Sequence, residues 1–165
     1  MAARRESLEQ RAYIEWAQFH PYARRVFAIP NGGKRSPVEA AIMKAEGVTP
    51  GASDLFLPCA RGGAHGLFIE MKWGDNKPTA EQEAFAASMI EVGYAVAFCW
   101  GCSAAIAATT LYLKSYMKPG RYEFTPEHGA EVLRQKALGL PSGIGRRRAR
   151  RDQAADATPP SSEPG

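Results

Sequence analysis

The stretch HGLFIEMK, residues 65–72, combines an apolar run with two opposite charges close to its end. Its length and the glycines before it predict a β-strand. Because alternate side chains of a strand share a face, Glu70 and Lys72 point the same way and Met71 points away. Burying either charge alone is costly, so the pair needs a partner, a function, or exposure at the strand end.

The segments on either side of this strand predict an α/β sandwich around a mixed sheet. Residues 54–57 form a second short strand, and CARGGA between the two strands is a hairpin loop, which makes them antiparallel neighbours. A helix over residues 79–90 then leads to a buried strand, YAVAFCW, at residues 94–100. A helical crossover between two strands favours parallel pairing, so the sheet is expected to be mixed.

The outer segments add further elements to this core. A capping box, Ser7-Leu8-Glu9-Gln10, opens a helix that continues to about Phe19, and another, Ser36-Pro37-Val38-Glu39, opens a short helix that ends near Gly47. RRVFAI at residues 24–29 is a predicted strand, and residues 103–116 are a helix that is apolar nearly all round. That last helix is either core or half of a dimer interface. One more short helix, to about residue 137, is predicted after Thr125.

The first helix carries an acid where an apolar side chain is expected. At 100° per residue, Leu8, Ala12, Trp16 and Phe19 share one face, which predicts that this face is buried, and Glu15 falls in its middle. Such an acid is either paired with an arginine or close to a bound metal ion.

Length and composition limit the chain to one domain with a tail. It has 165 residues, 45% of them hydrophobic, and a net charge of +4 with a pI of about 9.1. The basic excess comes mostly from an arginine cluster that begins at Arg146, Arg147 and Arg148, so overall basicity is weak evidence for nucleic acid. This cluster either contacts DNA nonspecifically or is a solvated tail.

Cysteine usage and hydropathy indicate the compartment. Cys59, Cys99 and Cys102 are odd in number and lie next to or within apolar runs, so they suggest neither a disulfide framework nor a zinc site and fit a reduced, cytosolic compartment. No apolar stretch approaches the roughly 18 to 20 residues of a membrane span, and the polar first ten residues lack the apolar core of a signal peptide.

Three side chains of the predicted hairpin have the parts for metal-assisted hydrolysis of a phosphodiester. If the loop is centred near Arg61 and Gly62, antiparallel register places Asp54 beside Glu70. Two carboxylates this close repel each other unless a proton or a divalent cation lies between them, and hard oxygen ligands suit Mg²⁺ or Mn²⁺. Lys72 could then polarise a water molecule or stabilise charge on a phosphate. The alternative is a surface salt bridge between Glu70 and Lys72.

Two further positions are open to two interpretations each. Gln82 begins an apolar stripe that should face the sheet, which directs its amide toward Glu70 and Lys72, but it also fits the capping box Thr79-Ala80-Glu81-Gln82. The second position is the loop NGGKRS, which either contacts phosphate or is a solvated turn. Its candidate phosphate ligands are Asn31, Lys34 and Arg35.

Taken in order, four segments of the chain resemble a known nuclease family. GVTPGASD, HGLFIEMK, TAEQEAF and GYAVAFCWG, which lie between residues 47 and 101, are similar to the stand-alone VRR-NUC (virus-type replication-repair nuclease) domains of phages and bacteria. These domains are a branch of the PD-(D/E)XK nuclease superfamily, and the resemblance covers roughly residues 8–113. It implies a restriction-endonuclease-like core in which helices flank a mixed, four-stranded sheet.

The resemblance also implies a role for each candidate residue. Asp54 and Glu70 would be metal-binding carboxylates, Lys72 the catalytic lysine, Gln82 the glutamine of the following helix, and Glu15 the acid that many superfamily members place near the metal. One position departs from the family pattern: Ser53 stands where the family has a proline before the aspartate. Proline mainly stiffens that approach to the strand, so the ligand set should survive its loss.

The function expected from residues and resemblance together is that of a Mg²⁺- or Mn²⁺-dependent DNA endonuclease. Family likeness implies a homodimer that acts on branched DNA such as four-way (Holliday) junctions, with a role in DNA repair in the cytoplasm of a bacterial or phage-infected cell. The alternatives are a nuclease of linear duplex DNA and a non-catalytic DNA-binding accessory module. The expected domains are a nuclease domain at residues 1–118, an extension with one possible short helix at 119–145, and a basic, then Pro/Ser-rich disordered tail at 146–165.

Overall fold

The computed structural model describes residues 2–30 and 36–138, and the elements below belong to those residues. They are α1 (Ala2–Gln18), a 3-10 turn (Ala23–Arg25), β1 (Phe27–Ala28), α2 (Pro37–Ala45), β2 (Leu55–Leu57), β3 (Leu67–Lys72), α3 (Ala80–Glu91), β4 (Ala95–Trp100), α4 (Cys102–Leu113), β5 (Gly120–Phe124) and α5 (Pro126–Ala137).

The strands form a mixed sheet in the order β1-β2-β3-β4-β5. The pairs β1–β2 and β2–β3 are antiparallel, whereas β3–β4 and β4–β5 are parallel. The mixed sheet is confirmed, but it has five strands in the described residues and not the predicted four. The missed strand, β5, has the sequence GRYEF, and only Phe124 of it is buried. An edge strand this polar has no apolar pattern to mark it.

The first predicted strand is mostly not a strand. Of residues 24–29, only Phe27 and Ala28 pair with β2, because the residues before them form the 3-10 turn that ends at Arg25.

The two faces of the sheet carry different layers. On one face, Leu67, Ile69 and Met71 of β3 pack in the main core with residues of α1 and α4. On the other face, Phe68 packs in a smaller cluster with Ala86 of α3. Glu70 and Lys72 alternate with the main-core residues, so they lie on the α3 face.

The predicted buried face of α1 is wrong. Leu8 is 52% exposed and Phe19 is 92% exposed, whereas Tyr13 and Ala17 are fully buried. Tyr13 can enter the core because its hydroxyl shares a hydrogen bond with Thr109 Oγ1 at 2.8 Å. The helix also begins at Ala2 rather than near Ser7, so Glu6 lies inside it.

Helix α4 belongs to the core, which is the first of its two predicted interpretations. Its buried side chains include Ala104, Ala108 and Leu111, and it contacts α1, β3, β4, β5 and α5. The predicted short helix near the end is α5, and it packs closely on α4: a Cβ at Gly129 would lie 2.7 Å from the backbone nitrogen of Ala104. The domain boundaries stay a prediction. Over residues 2–30 and 36–138, the structure has no helix with the length and apolarity that a membrane span requires.

Candidate active site

Asp54 and Glu70 lie opposite each other at one end of the β2–β3 hairpin. The register pairs Leu55 with Ile69, so the next position places Asp54 against Glu70, as predicted. The Asp54 carboxylate is held in place because its Oδ2 accepts a hydrogen bond of 2.8 Å from the backbone amide of Met71. The backbone carbonyl of Asp54 accepts another, also 2.8 Å, from the amide of Ile29.

Glu70 and Lys72 form a buried ion pair. Lys72 Nζ lies 3.0 Å from Glu70 Oε1, and the two residues are only 5% and 3% exposed. The salt-bridge alternative is therefore correct about the contact, but the pair is not on the surface. Burial makes the difference, since an exposed pair is worth little and a buried pair is retained only with well-placed partners.

Gln82 supplies those partners and satisfies both of its predicted interpretations at once. Its Oε1 accepts hydrogen bonds from Lys72 Nζ at 2.7 Å and from the backbone amide of Thr79 at 3.0 Å. Its Nε2 donates to Glu70 Oε1 at 2.5 Å. The capping box that starts α3 therefore also fixes the amide against the ion pair, and α3 is locked to β3 at this point.

Burial and charge repulsion shift the protonation of the two carboxyl groups. Desolvation, followed by the neighbouring charge of Asp54, raises the pKa of Glu70 to about 7, although Lys72 and the amide of Asp54 act in the opposite direction. Desolvation also raises the pKa of Asp54. The site therefore has a surplus of negative charge that either a proton or a cation can neutralise.

One oxygen of this site makes no hydrogen bond. Glu70 Oε2 is buried and has no partner, and leaving such a group unsatisfied costs about 1–3 kcal/mol. A divalent cation between Asp54 and Glu70 would satisfy that oxygen and remove the repulsion, so the residues present fit an oxygen-seeking cation. Among residues 2–30 and 36–138, no group of three or more Asp, Glu, His or Cys side chains is spaced as a metal site. The remaining ligands would thus be solvent or phosphate oxygens, as is usual for Mg²⁺.

The structure does not bring Glu15 into this group. Glu15 is exposed on α1 and lines a surface cavity of about 360 Å³ with Arg11 and Ile14. The acid of α1 whose charge acts on Asp54 is Glu6, which helps to raise the pKa of that carboxyl. Glu6 also accepts a hydrogen bond of 2.9 Å from Asn76, in the loop after β3. The sequence pattern missed Glu6 because the predicted helix began after it.

Six predicted DNA contacts lie outside the described residues. They are Asn31, Lys34 and Arg35 in the NGGKRS loop and Arg146, Arg147 and Arg148 in the tail. Their roles stay predictions.

Comparison with solved structures identifies the fold. A structure described as "VRR_NUC domain protein" superposes with a TM-score of 0.60 and 27% sequence identity, and the match covers 72% of this chain and 92% of that chain. No protein-family model and no curated protein matches the sequence. The predicted restriction-endonuclease-like fold is confirmed, with five strands in place of four.

Proposed function

We propose that this chain, which has a VRR-NUC domain, is a metal-dependent endonuclease that hydrolyses phosphodiester bonds in DNA. The observation that carries the proposal is the buried carboxylate of Glu70, whose Oε2 has no partner and which lies beside Asp54 and Lys72. A purely structural ion pair has no use for a second carboxylate that raises the pKa of the first.

Asp54 and Glu70 would hold the cation, for which Mg²⁺ and Mn²⁺ are the proposed candidates. When bound, the cation would supply positive charge to the scissile phosphate and to its leaving oxygen. Glu6 would add negative charge at longer range, since its carboxylate already acts on Asp54.

Lys72 would position the attacking water and stabilise the negative charge that develops on the phosphate. Its ammonium is aimed by two acceptors, Glu70 Oε1 and Gln82 Oε1, and its near-complete burial removes competing solvent. Gln82 would orient this lysine, because the capping box leaves its amide no freedom to rotate away.

The proposed substrate class is branched DNA such as a four-way junction, and the proposed assembly is a homodimer. Both come from the sequence resemblance alone. Labelled linear, nicked, flapped and four-way DNA, each incubated with Mg²⁺, Mn²⁺ or EDTA, tests function and substrate class together. We expect cleavage with either metal, none with EDTA, and the fastest cleavage on the four-way substrate. Tight binding of DNA without cleavage under every metal condition would instead indicate the accessory module.

Replacement of Gln82 separates its two roles. Gln82→Met keeps the side-chain length but removes the contacts to Lys72 and Glu70, and we expect cleavage to fall roughly 10- to 100-fold because the lysine is misplaced. Thr79→Ala is the matched control. It removes the cap at a cost of about 1 kcal/mol but leaves the amide contacts of Gln82 to Lys72 and Glu70. If both variants lose cleavage equally, Gln82 acts only through the helix start.

Replacement of Glu6 and replacement of Glu15 are expected to affect the metal dependence of cleavage differently. Glu6→Gln removes a charge that acts on Asp54, so we expect the Mg²⁺ concentration for half-maximal cleavage to rise about 3- to 10-fold. Glu15→Gln, on the exposed face of the same helix, should leave it unchanged. The measurement is a Mg²⁺ titration of the cleavage rate. A shift in the Glu15 variant alone would overturn this assignment.

A further inference from the structure

A cluster of arginine and aromatic side chains lies at the end of the sheet opposite the candidate active site. We call it the arginine–aromatic surface. Its members come from the segment that follows α1, the 3-10 turn and the β2–β3 loop, and they are Phe19, Tyr22, Arg24, Arg25 and Arg61. The two chain segments that supply it, residues 16–30 and 55–69, contain no acidic residue.

Tyr22 holds two of the guanidinium groups in place. Arg61 Cζ lies 4.8 Å from the centre of the Tyr22 ring, and Arg25 Cζ lies 5.8 Å from it. The hydrogen bonds of these guanidinium groups go to backbone carbonyls, from Arg25 to Pro21 and from Arg61 to Ala60, each at 2.9 Å. In the part of the chain that the structure describes, no ion pair includes Arg24, Arg25 or Arg61. Their charge is available to an outside anion.

The backbone beneath this surface is fixed. His20 Nδ1 accepts hydrogen bonds from the amides of Tyr22 and Ala23, each at 3.2 Å. Ala23 is fully buried and Val26 is 7% exposed, so the turn is anchored in the core on both sides of the arginines. The charged groups are therefore presented in a set arrangement, which lowers the entropy lost when a ligand binds.

The exposed ring of Phe19 indicates that the arginine–aromatic surface binds more than the phosphate backbone of a duplex. The Phe19 side chain is 92% exposed just after the end of α1, three positions before Tyr22. An aromatic ring in this setting can stack on a nucleic-acid base, but only where the base is unpaired and accessible. A phosphate backbone together with free bases is the chemistry of a single strand.

We propose that the arginine–aromatic surface binds a single-stranded segment of the DNA substrate. Arg24, Arg25 and Arg61 contact successive phosphates, and Phe19 stacks on an unpaired base. The inference rests on the proposed function for its DNA substrate. At 1.5 Å per residue, α1 places Phe19 about 20 Å from Glu6, so the held strand is several nucleotides from the cleaved bond.

The test measures binding and cleavage separately. Fluorescence anisotropy in EDTA gives the affinity of the full chain for a labelled oligothymidine and for a blunt duplex over a series of salt concentrations. We expect Phe19→Ala to weaken oligothymidine binding about 5-fold or more and to leave duplex binding unchanged. A variant with Arg24→Gln, Arg25→Gln and Arg61→Gln should also reduce the salt slope for oligothymidine by about 2. Lys44→Gln, an exposed cation on α2, is the matched control and should change neither quantity.

Cleavage of blunt duplex and of duplex with a single-stranded tail, with Mg²⁺, completes the test. Phe19→Ala should lower the rate on the tailed substrate at limiting DNA and spare the blunt one. Equal oligothymidine affinity in the wild type and in the Phe19 and arginine variants would overturn the proposal, as would displacement of oligothymidine by polyglutamate as effective as that by unlabelled oligothymidine, which indicates an acidic protein ligand. If oligothymidine binding responds as expected but no substrate is cleaved with any metal, the surface stands and the proposed function fails.

Discussion

Asp54→Asn is expected to lower the rate of DNA cleavage about 10³-fold or more while the protein stays folded. Asparagine has the same shape, and its oxygen can still accept the hydrogen bond from the Met71 amide that holds the aspartate. The change removes only the negative charge, and with it a ligand of the proposed cation. Initial rates on the preferred DNA substrate with saturating Mg²⁺ measure the loss.

The stability of Asp54→Asn distinguishes a catalytic role from a structural one. The charge of Asp54 raises the pKa of Glu70 by repulsion, and Asp54→Asn removes that repulsion. We therefore expect the free energy of unfolding of the variant to be equal to or higher than that of the wild type. Asp75→Asn, in the exposed loop after β3, is the control and should leave cleavage intact. Cleavage within 10-fold of wild type in Asp54→Asn would refute the assignment, and DNA affinity in EDTA should be retained.

Substitutions of Lys72 separate a catalytic role from a structural one less clearly than Asp54→Asn does. Replacing Lys72 with Ala should also abolish cleavage, but it removes the ammonium group that is bonded to Glu70. Breaking a buried pair from one side typically costs about 3–5 kcal/mol, although protonation of Glu70 would relieve part of this. Lys72→Met keeps more of the buried stem, so it is the preferred variant, and its unfolding must be measured beside its cleavage.

The hairpin that carries Asp54 and Glu70 was predictable because local rules fix it. Antiparallel register is set by the position of the loop, and the alternation of side chains then decides which residues share a face. Gln82 was predictable for the same reason, since a capping box fixes the direction of its side chain at the helix start. The three elements are close in sequence, and each contact follows from two or three residues.

The contacts of α1 could not be predicted in this way because they depend on the distant helix α4. Two apolar stripes run along α1, and the one with Leu8 and Phe19 is the more hydrophobic by composition. The structure buries the other, because Tyr13 finds a hydroxyl partner in Thr109, 96 positions away. Because α1 buries the Tyr13 side, Glu15 faces solvent, and the earlier start of the helix brings Glu6 toward Asp54. A polar partner in another helix leaves no trace in the local pattern.

The protein without metal is expected to lose stability as the pH rises from about 5 to 8. The pKa of Glu70 is about 7 in the folded chain and near its ordinary value of 4.5 in the unfolded chain, so the folded chain binds the extra proton in this window. Stability is therefore highest below the unfolded value and falls as the pH passes through the folded one. The full shift corresponds to about 3 kcal/mol, and urea unfolding at pH 5.5 and pH 8 should measure about 2 kcal/mol of it, because part of the loss falls outside this range.

The contribution of Glu70 to this pH dependence can be measured separately with the variant Glu70→Gln and by addition of a divalent cation. Other groups also contribute to the pH dependence of stability, so the informative quantity is the pH-dependent loss in the wild type minus that in Glu70→Gln, which has no carboxyl to charge. Mg²⁺ at pH 8 should recover stability in the wild type, because the cation takes the place of the proton between Glu70 and Asp54, and recovery should be smaller at pH 5.5, where the proton competes. Equal pH dependence in both proteins would show that Glu70 is ionised throughout the window. The proton and the cation would then not share one site.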